Sequence, residues 1–307
     1  MTPSGATSPT RIDTFENEGL TFSVADTGPI DGEVIILLHG FPQTGEAWEP
    51  TAAALNEAGY RTLAPTLRGY ETSSRARGRW RYRSSRIVSD VVALIGAAGG
   101  RPVHLIGHDW GSLLAWSAAA ARPDLISSLT AVSVPHYAAY LLAIADLRSK
   151  QLIQSYYIVL FQLPLIPELL FTLFPRSFDR NLRQSGMADV DISAVNINVV
   201  ESGALTSGIN WYRGLLVSNQ RAMTRKITVP TTFVWGDEDT LLGRTGTDLT
   251  KRFVTGSYNL EVFAGASHWI PAERPQELAD AFVKHHPSFV PTEAPNDPTE
   301  EQHERES

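Results

Sequence analysis

The sequence predicts an α/β fold: a mostly parallel, doubly wound sheet interrupted by an inserted helical cap. Three observations carry this reading. Short, almost continuously apolar runs end in glycine or polar residues, helical stretches separate them, and between about residues 136 and 225 the alternation stops. Strands buried on both faces of a parallel sheet show such unbroken apolar character.

The first such strand is "VIILLHG" (34–40), β-branched and closed by glycine. The helix-prone "SRIVSDVVALIGAAG" (85–99) separates it from the strand "PVHLIGHD" (102–109), and "GSLLAWSAAAA" (111–121) follows as a helix. "LTAVSVP" (129–135), "TTFVWGDED" (231–239) and "LEVFAGASH" (260–268) add three more strands. Strands and helices of these lengths in alternation imply a parallel sheet, and such sheets bind ligands at the carboxyl ends of their strands. His39, Asp109, Asp239 and His268 all fall at those ends.

The insertion, 136–225, is aromatic and broken by prolines. Its most membrane-like run, "LIQSYYIVLFQLPLIPELLFTLF" (152–174), is interrupted by Gln154, Gln162, Glu168, Pro164 and Pro167 too often for a spanning helix. It reads as short apolar helices packed over the core formed by 11–135 and 226–290. The polar termini, 1–10 and 291–307, read as disordered tails.

Composition narrows the function. With 307 residues and 43% hydrophobic content the chain can bury a sizeable core. A net charge of −7 gives no attraction to nucleic acid or anionic membranes, so neither partner is expected. The absence of cysteine excludes thiolate catalysis, disulfides and cysteine-ligated zinc. Nothing at the start of the chain resembles a secretory signal, and a cytoplasmic location is expected.

The chemistry centres on "GHDWG" (107–111), where a strand gives way to a helix. Glycines two residues either side of Asp109 suit a tight turn that brings neighbouring backbone close and lifts one side chain above the sheet. Asp109 reads as an ionised nucleophile there, favoured by the helix N-terminus, or alternatively as a plain N-cap. "HGFP" (39–42) ends the earlier strand, and the N–H groups of Phe41 and Trp110 are candidates for an oxyanion hole. Gly-x-x-Asp at 236–239 and then "SHW" (267–269) supply an acid and a histidine in the order of an α/β-hydrolase. Asp239 is preferred to Asp237, which reads as a loop residue. His268 is the only histidine in the expected place. His39 and His108 read as structural, His104 as a satisfied core histidine, and His285, His286 and His303 as solvated.

An acid where serine is usual changes the reaction. A carboxylate is ionised without a base and can displace at saturated carbon, leaving an alkyl ester of the enzyme. His268, oriented by Asp239, would then activate water against that ester. An epoxide oxygen or a halide could leave.

On "HGFP", "RGY" (68–70), "GHDWG", "GDED" (236–239) and "SHW", the chain resembles the α/β-hydrolase epoxide hydrolases across roughly residues 15 to 288. That resemblance implies the α/β-hydrolase fold and two cap tyrosines that hold and protonate the epoxide oxygen. In "SYYIVLFQLP" (155–164) the matching residue is Tyr157, with Tyr156 one position away, and in "NWYRG" (210–214) it is Tyr212. His39, Pro42, Trp110 and Phe161 are expected to border the substrate, and Leu113, Leu163 and Leu165 to make its surroundings apolar. The expectation is a cofactor-independent, metal-free ether-bond hydrolase, monomer or homodimer, that joins water to a small apolar epoxide. A haloalkane-type dehalogenase and a ligand-binding receptor with little turnover are the alternatives. Trp110, in place of the arginine common in fluoroacetate dehalogenases, counts against that activity. Glu71 and Ser112 depart from the glycines frequent in relatives.

Overall fold

The computed structural model describes residues 10–286, so the expected tails lie outside the described residues except for Thr10. Thr10 is held: its carbonyl accepts from Arg61 at 2.7 Å.

Among the described residues eight strands form one sheet: β1 (Thr14–Asn17), β2 (Leu20–Thr27), β3 (Val34–Leu38), β4 (Arg61–Pro65), β5 (Val103–His108), β6 (Ile126–Val132), β7 (Thr231–Gly236) and β8 (Tyr258–Phe263). Their order is β1-β2-β4-β3-β5-β6-β7-β8, antiparallel at the β1-β2-β4 edge and parallel elsewhere. The parallel runs expected from sequence are all strands. The apolar pattern alone does not reveal β1, β2 and β4. The first two meet at Glu18 and Gly19, both at positive φ, as a two-residue hairpin turn requires. β4 carries Arg61, whose buried guanidinium is neutralised by Asp26 on β2, with Nε to Oδ1 at 2.9 Å.

Side chains alternate across the sheet and build a core on each face. Ile35, Leu37, Ile106 and Val234 point to one side, where they meet Leu55 of α1 (Glu49–Glu57) and Leu278 and Phe282 of a helix over Pro275–His285. Ile36, Leu38, Leu105 and Phe233 point to the other, packed with α2 (Ser84–Ala97) and α3 (Trp110–Ala121). The chain doubles back at β3: β4 lies on one side of it and β5 on the other. The crevice at that reversal, at the carboxyl ends of β3 and β5, is where a ligand site belongs.

Between β6 and β7 the chain forms eight α-helices, from Tyr137–Ala145 to Gln220–Met223, and a π-helical turn at Asn196–Glu201. The chain leaves and rejoins the sheet side by side. His136 caps Tyr137–Ala145 through Nδ1, which accepts from Ala138 N–H, while its Nε2 lies 3.0 Å from the carbonyl of Arg225.

The glycines at the turn after β5 are fixed by contact. A Cβ on Gly111 would lie 1.9 Å from the Leu38 carbonyl oxygen, and one on Gly107 would lie 2.2 Å from that of Gly111. Gly96, near the end of α2, has nothing within 4 Å. Gly111→Ala should therefore lose at least ~2 kcal/mol, within the roughly 1–3 typical of overpacking, while Gly96→Ala should gain ~0.5–1 kcal/mol. Urea denaturation of both variants reads the contrast.

Candidate active site

Asp109 follows β5 with φ 52 and ψ −118, a conformation side chains other than glycine avoid. Gly40 makes room for it: a Cβ there would lie 2.4 Å from that of Asp109. Asp109 stands at the N-cap of α3 yet makes no side-chain cap hydrogen bond. Its Oδ1 instead accepts from the Phe41 N–H at 2.8 Å. The plain N-cap reading is therefore set aside by geometry. Burial alone would raise the Asp109 carboxyl; His268 above all, then His108 and the Trp110 N–H, outweigh it and hold it below the ordinary value.

His268 is fully buried beside it, with Nε2 3.6 Å from Asp109 Oδ2 and Nδ1 2.7 Å from Asp239 Oδ2. Nδ1–H donates to Asp239, whose other oxygen accepts from the N–H groups of Leu241 and Leu242 at 2.8 and 2.9 Å. Nε2 has no hydrogen-bond partner, and Asp109 Oδ2 is the carboxylate oxygen beside it. Burial opposes the imidazolium, but Asp239 and then Asp109 prevail and lift His268 to about 10. His39, His108 and His136 show the contrast: burial lowers each to about 4.

A cavity opens above Asp109, with that carboxylate its one charged wall. Tyr157 and Tyr212 line it from the helices over Tyr156–Leu160 and Leu205–Leu215, together with Trp110 and Leu113 from α3. Burial, and then the Asp109 charge, push both tyrosines well above the usual phenol value. Two further tyrosines line it, but their hydroxyls are engaged: Tyr137 donates to Gln220 Oε1, and Tyr140 to Ser155 Oγ at 2.8 Å. Among the described residues, no group accepts from or donates to the Tyr157 hydroxyl.

Several expected neighbours sit elsewhere. His39 is behind the cavity, its Nε2 accepting from Leu67 N–H at 2.9 Å and its Nδ1 3.0 Å from the Gly40 carbonyl. Pro42 borders a separate hollow with Glu46 and Asp191. Phe161 supports the wall from outside, edge-on to Tyr212 at 4.8 Å and to Phe41 at 5.9 Å. Leu165 is 69% exposed and Tyr156 64%, and Leu163 is exposed as well, so none of these faces inward. An apolar helix buries the residues of one stripe only, and sequence spacing does not reveal which. Ile158, Leu215 and Leu242 line the cavity unforeseen. The last of these carried a signal, standing three residues after Asp239.

The remaining expectations divide. Asp237 holds its loop, accepting from Gly265 N–H at 2.7 Å. His104 meets Ser128 Oγ at 2.7 Å. Glu71 accepts from the Ser23 hydroxyl and N–H, and Ser112 donates to the Val134 carbonyl, both away from Asp109. His285 and His286 are not simply solvated, since the first pairs with Glu261 at 2.6 Å and the second packs on Phe282. His303 lies outside the described residues.

The folded protein holds the His268 proton more tightly than the unfolded chain, whose imidazole has the ordinary value of 6.5. The stability so gained is complete below about pH 6.5 and is lost as pH rises through about 10. Asp239→Asn removes the chief cause. It should flatten the decline in urea midpoint across that interval while lowering the midpoint at its acid end.

Comparison with known proteins agrees with this architecture. The α/β hydrolase fold family matches residues 33–275. The AB hydrolase superfamily protein YfhM of Bacillus subtilis is 35% identical over 264 residues, covering 84% of this chain and 91% of that one. Epoxide hydrolase 3 of Xenopus tropicalis is 30% identical, covering 86% and 74%. Among solved structures, an epoxide hydrolase from Vigna radiata aligns with a TM-score of 0.74 and 27% identity, over 88% of this chain and 96% of that one. The chain belongs to the α/β-hydrolase family, in the group that includes the epoxide hydrolases.

Proposed function

We propose that the chain hydrolyses small apolar epoxides to vicinal diols through a covalent ester on Asp109. The observation that carries this reading is the cavity itself, which sets a buried carboxylate and its His268–Asp239 pair opposite Tyr157 and Tyr212. A tyrosine hydroxyl not spent on the protein, facing an anionic nucleophile, suits an oxygen leaving group that must gain a proton. A halide needs none.

In the first step an Asp109 oxygen bonds to an epoxide carbon as that carbon's bond to the ring oxygen breaks. The freed oxygen takes a proton from Tyr157 or Tyr212. That phenolate is reprotonated at the expense of the His268 imidazolium, which becomes neutral. Ester formation has meanwhile removed the Asp109 charge that helped to hold the His268 proton. The change lets one residue serve both halves of the cycle.

In the second step neutral His268 takes a proton from water while the water oxygen adds to the Asp109 carboxyl carbon. The N–H groups of Phe41 and Trp110 steady the resulting oxyanion. Collapse breaks the bond between the Asp109 carboxyl carbon and the oxygen that carries the substrate, and that departing diol oxygen takes the proton left on the new carboxyl. Asp109 carboxylate and His268 imidazolium are restored.

His268→Gln should block the second step, while a single round of ester formation, slower without the imidazolium, still goes forward. Incubated with a styrene-type epoxide, it should gain the mass of one epoxide, located on Asp109 by peptide mass spectrometry. An unmodified protein would overturn the reading. Tyr157→Phe combined with Tyr212→Phe should slow alkylation by about 10²–10⁴-fold, the usual contribution of a positioned acid. Unimpaired halide release from haloalkanes by that double variant would favour dehalogenation instead.

A further inference from the structure

Most of the large hydrophobic side chains exposed among the described residues belong to one stretch of the chain. Of the nineteen large hydrophobic side chains exposed among the described residues, fourteen lie between Leu141 and Phe174. Ile153, Tyr156 and Val159 recur at three-residue spacing along two successive short helices, Gln151–Gln154 and Tyr156–Leu160. The face continues on the next helix, Ile166–Leu173, where Leu169 and Leu173 are outward. Ordinary soluble surfaces scatter such residues singly.

Charge marks the borders of this face. From position 151 to 175 the single charged residue is Glu168, which is only 13% exposed and is neutralised by Arg213 at 2.7 Å. Arg148 and Lys150 stand at one end, Arg176 and Arg180 at the other, all exposed. The acids nearby are Asp146, exposed, Asp179, half-buried and accepting from Asn196, and Asp189, paired with Arg183. Residues 147–183 hold five cations and two acids in a chain whose net charge is −7. The overall charge, which argued against anionic surfaces, conceals a local reversal.

We infer that the exposed face of 141–174, with its basic ends, docks on the surface of an anionic lipid bilayer. Apolar side chains flanked by Lys and Arg fit an interface in which acyl chains lie beneath anionic headgroups. A second copy fits less well. Both ends of the face are basic, so pairing it with itself brings cations to cations in either orientation. Among the described residues no helix is long and apolar enough to cross a membrane. Tyr157 and Ile158 line the cavity from the helix that also bears Tyr156 and Val159, so docking sets the cavity beside the phase in which apolar molecules collect.

The test is flotation of the full chain with vesicles of phosphatidylcholine, with and without phosphatidylglycerol, alongside sedimentation equilibrium without lipid. Binding to the anionic vesicles, weakened by salt, is expected. Arg176→Glu with Arg180→Glu should weaken it by at least about fivefold per cation lost, the equivalent of ~1 kcal/mol each. Val159→Asp with Leu173→Asp should abolish it, with circular dichroism unchanged. No binding to either vesicle overturns the proposal, as does binding indifferent to both pairs of substitutions. A dimer without lipid that Val159→Asp and Leu173→Asp dissociate would assign the face to a second copy instead. None of these readings depends on turnover, so the outcome is separate from that of the epoxide reaction.

Discussion

The close approach of the loops after β3 and β5 governs everything built above the sheet. Asp109 can occupy its positive-φ position only because Gly40 concedes the space for its Cβ and Gly111 admits the backbone of Leu38. Backbone held in such a region costs on the order of 1–3 kcal/mol and persists only when its surroundings impose it. Here the imposition comes from parallel pairing of β3 with β5 and from the Phe41 N–H on the carboxylate. The sheet's packing thus supplies the strain, and the Phe41 N–H fixes the carboxylate that the strain positions.

Electrostatics then divides the histidines by partner. Burial makes His39, His108 and His136 poor bases, and each directs at least one ring nitrogen at a backbone carbonyl. His268 is just as deeply buried but lies between two carboxylates, so it carries a proton where the others do not. The difference comes from two neighbours rather than from exposure. A buried cation between two anions is tolerable because the Asp239 carboxylate also accepts two backbone N–H groups.

Much of this was legible in the chain. β3, β5, β6, β7 and β8 announce themselves by unbroken apolar runs, and the elbow by glycines whose spacing has a steric cause. β1 and β2 alternate buried and exposed residues at an antiparallel edge, which is a weaker signal, and β4 begins with an arginine that only tertiary pairing with Asp26 renders harmless. In the helical segment, composition spoke of burial where much is surface. Leu163 and Leu165 are expected from sequence to make the substrate's surroundings apolar, yet both point outward, and the cavity instead recruits Ile158 and Leu215. Which side of a short apolar helix faces in depends on partners distant in sequence, Asp109 and Trp110 among them.

The hydrogen bond between His136 and the Arg225 carbonyl joins the two points where the chain departs from and returns to the sheet. A stretch of almost ninety residues whose ends touch imposes little on what it is attached to, because loop-closure entropy grows only with the logarithm of length. The strands need only a pair of adjacent anchor points. Evolution can thus graft a longer, shorter or differently shaped roof at that junction, altering which molecules are admitted while the hydrolytic floor beneath stays as it was.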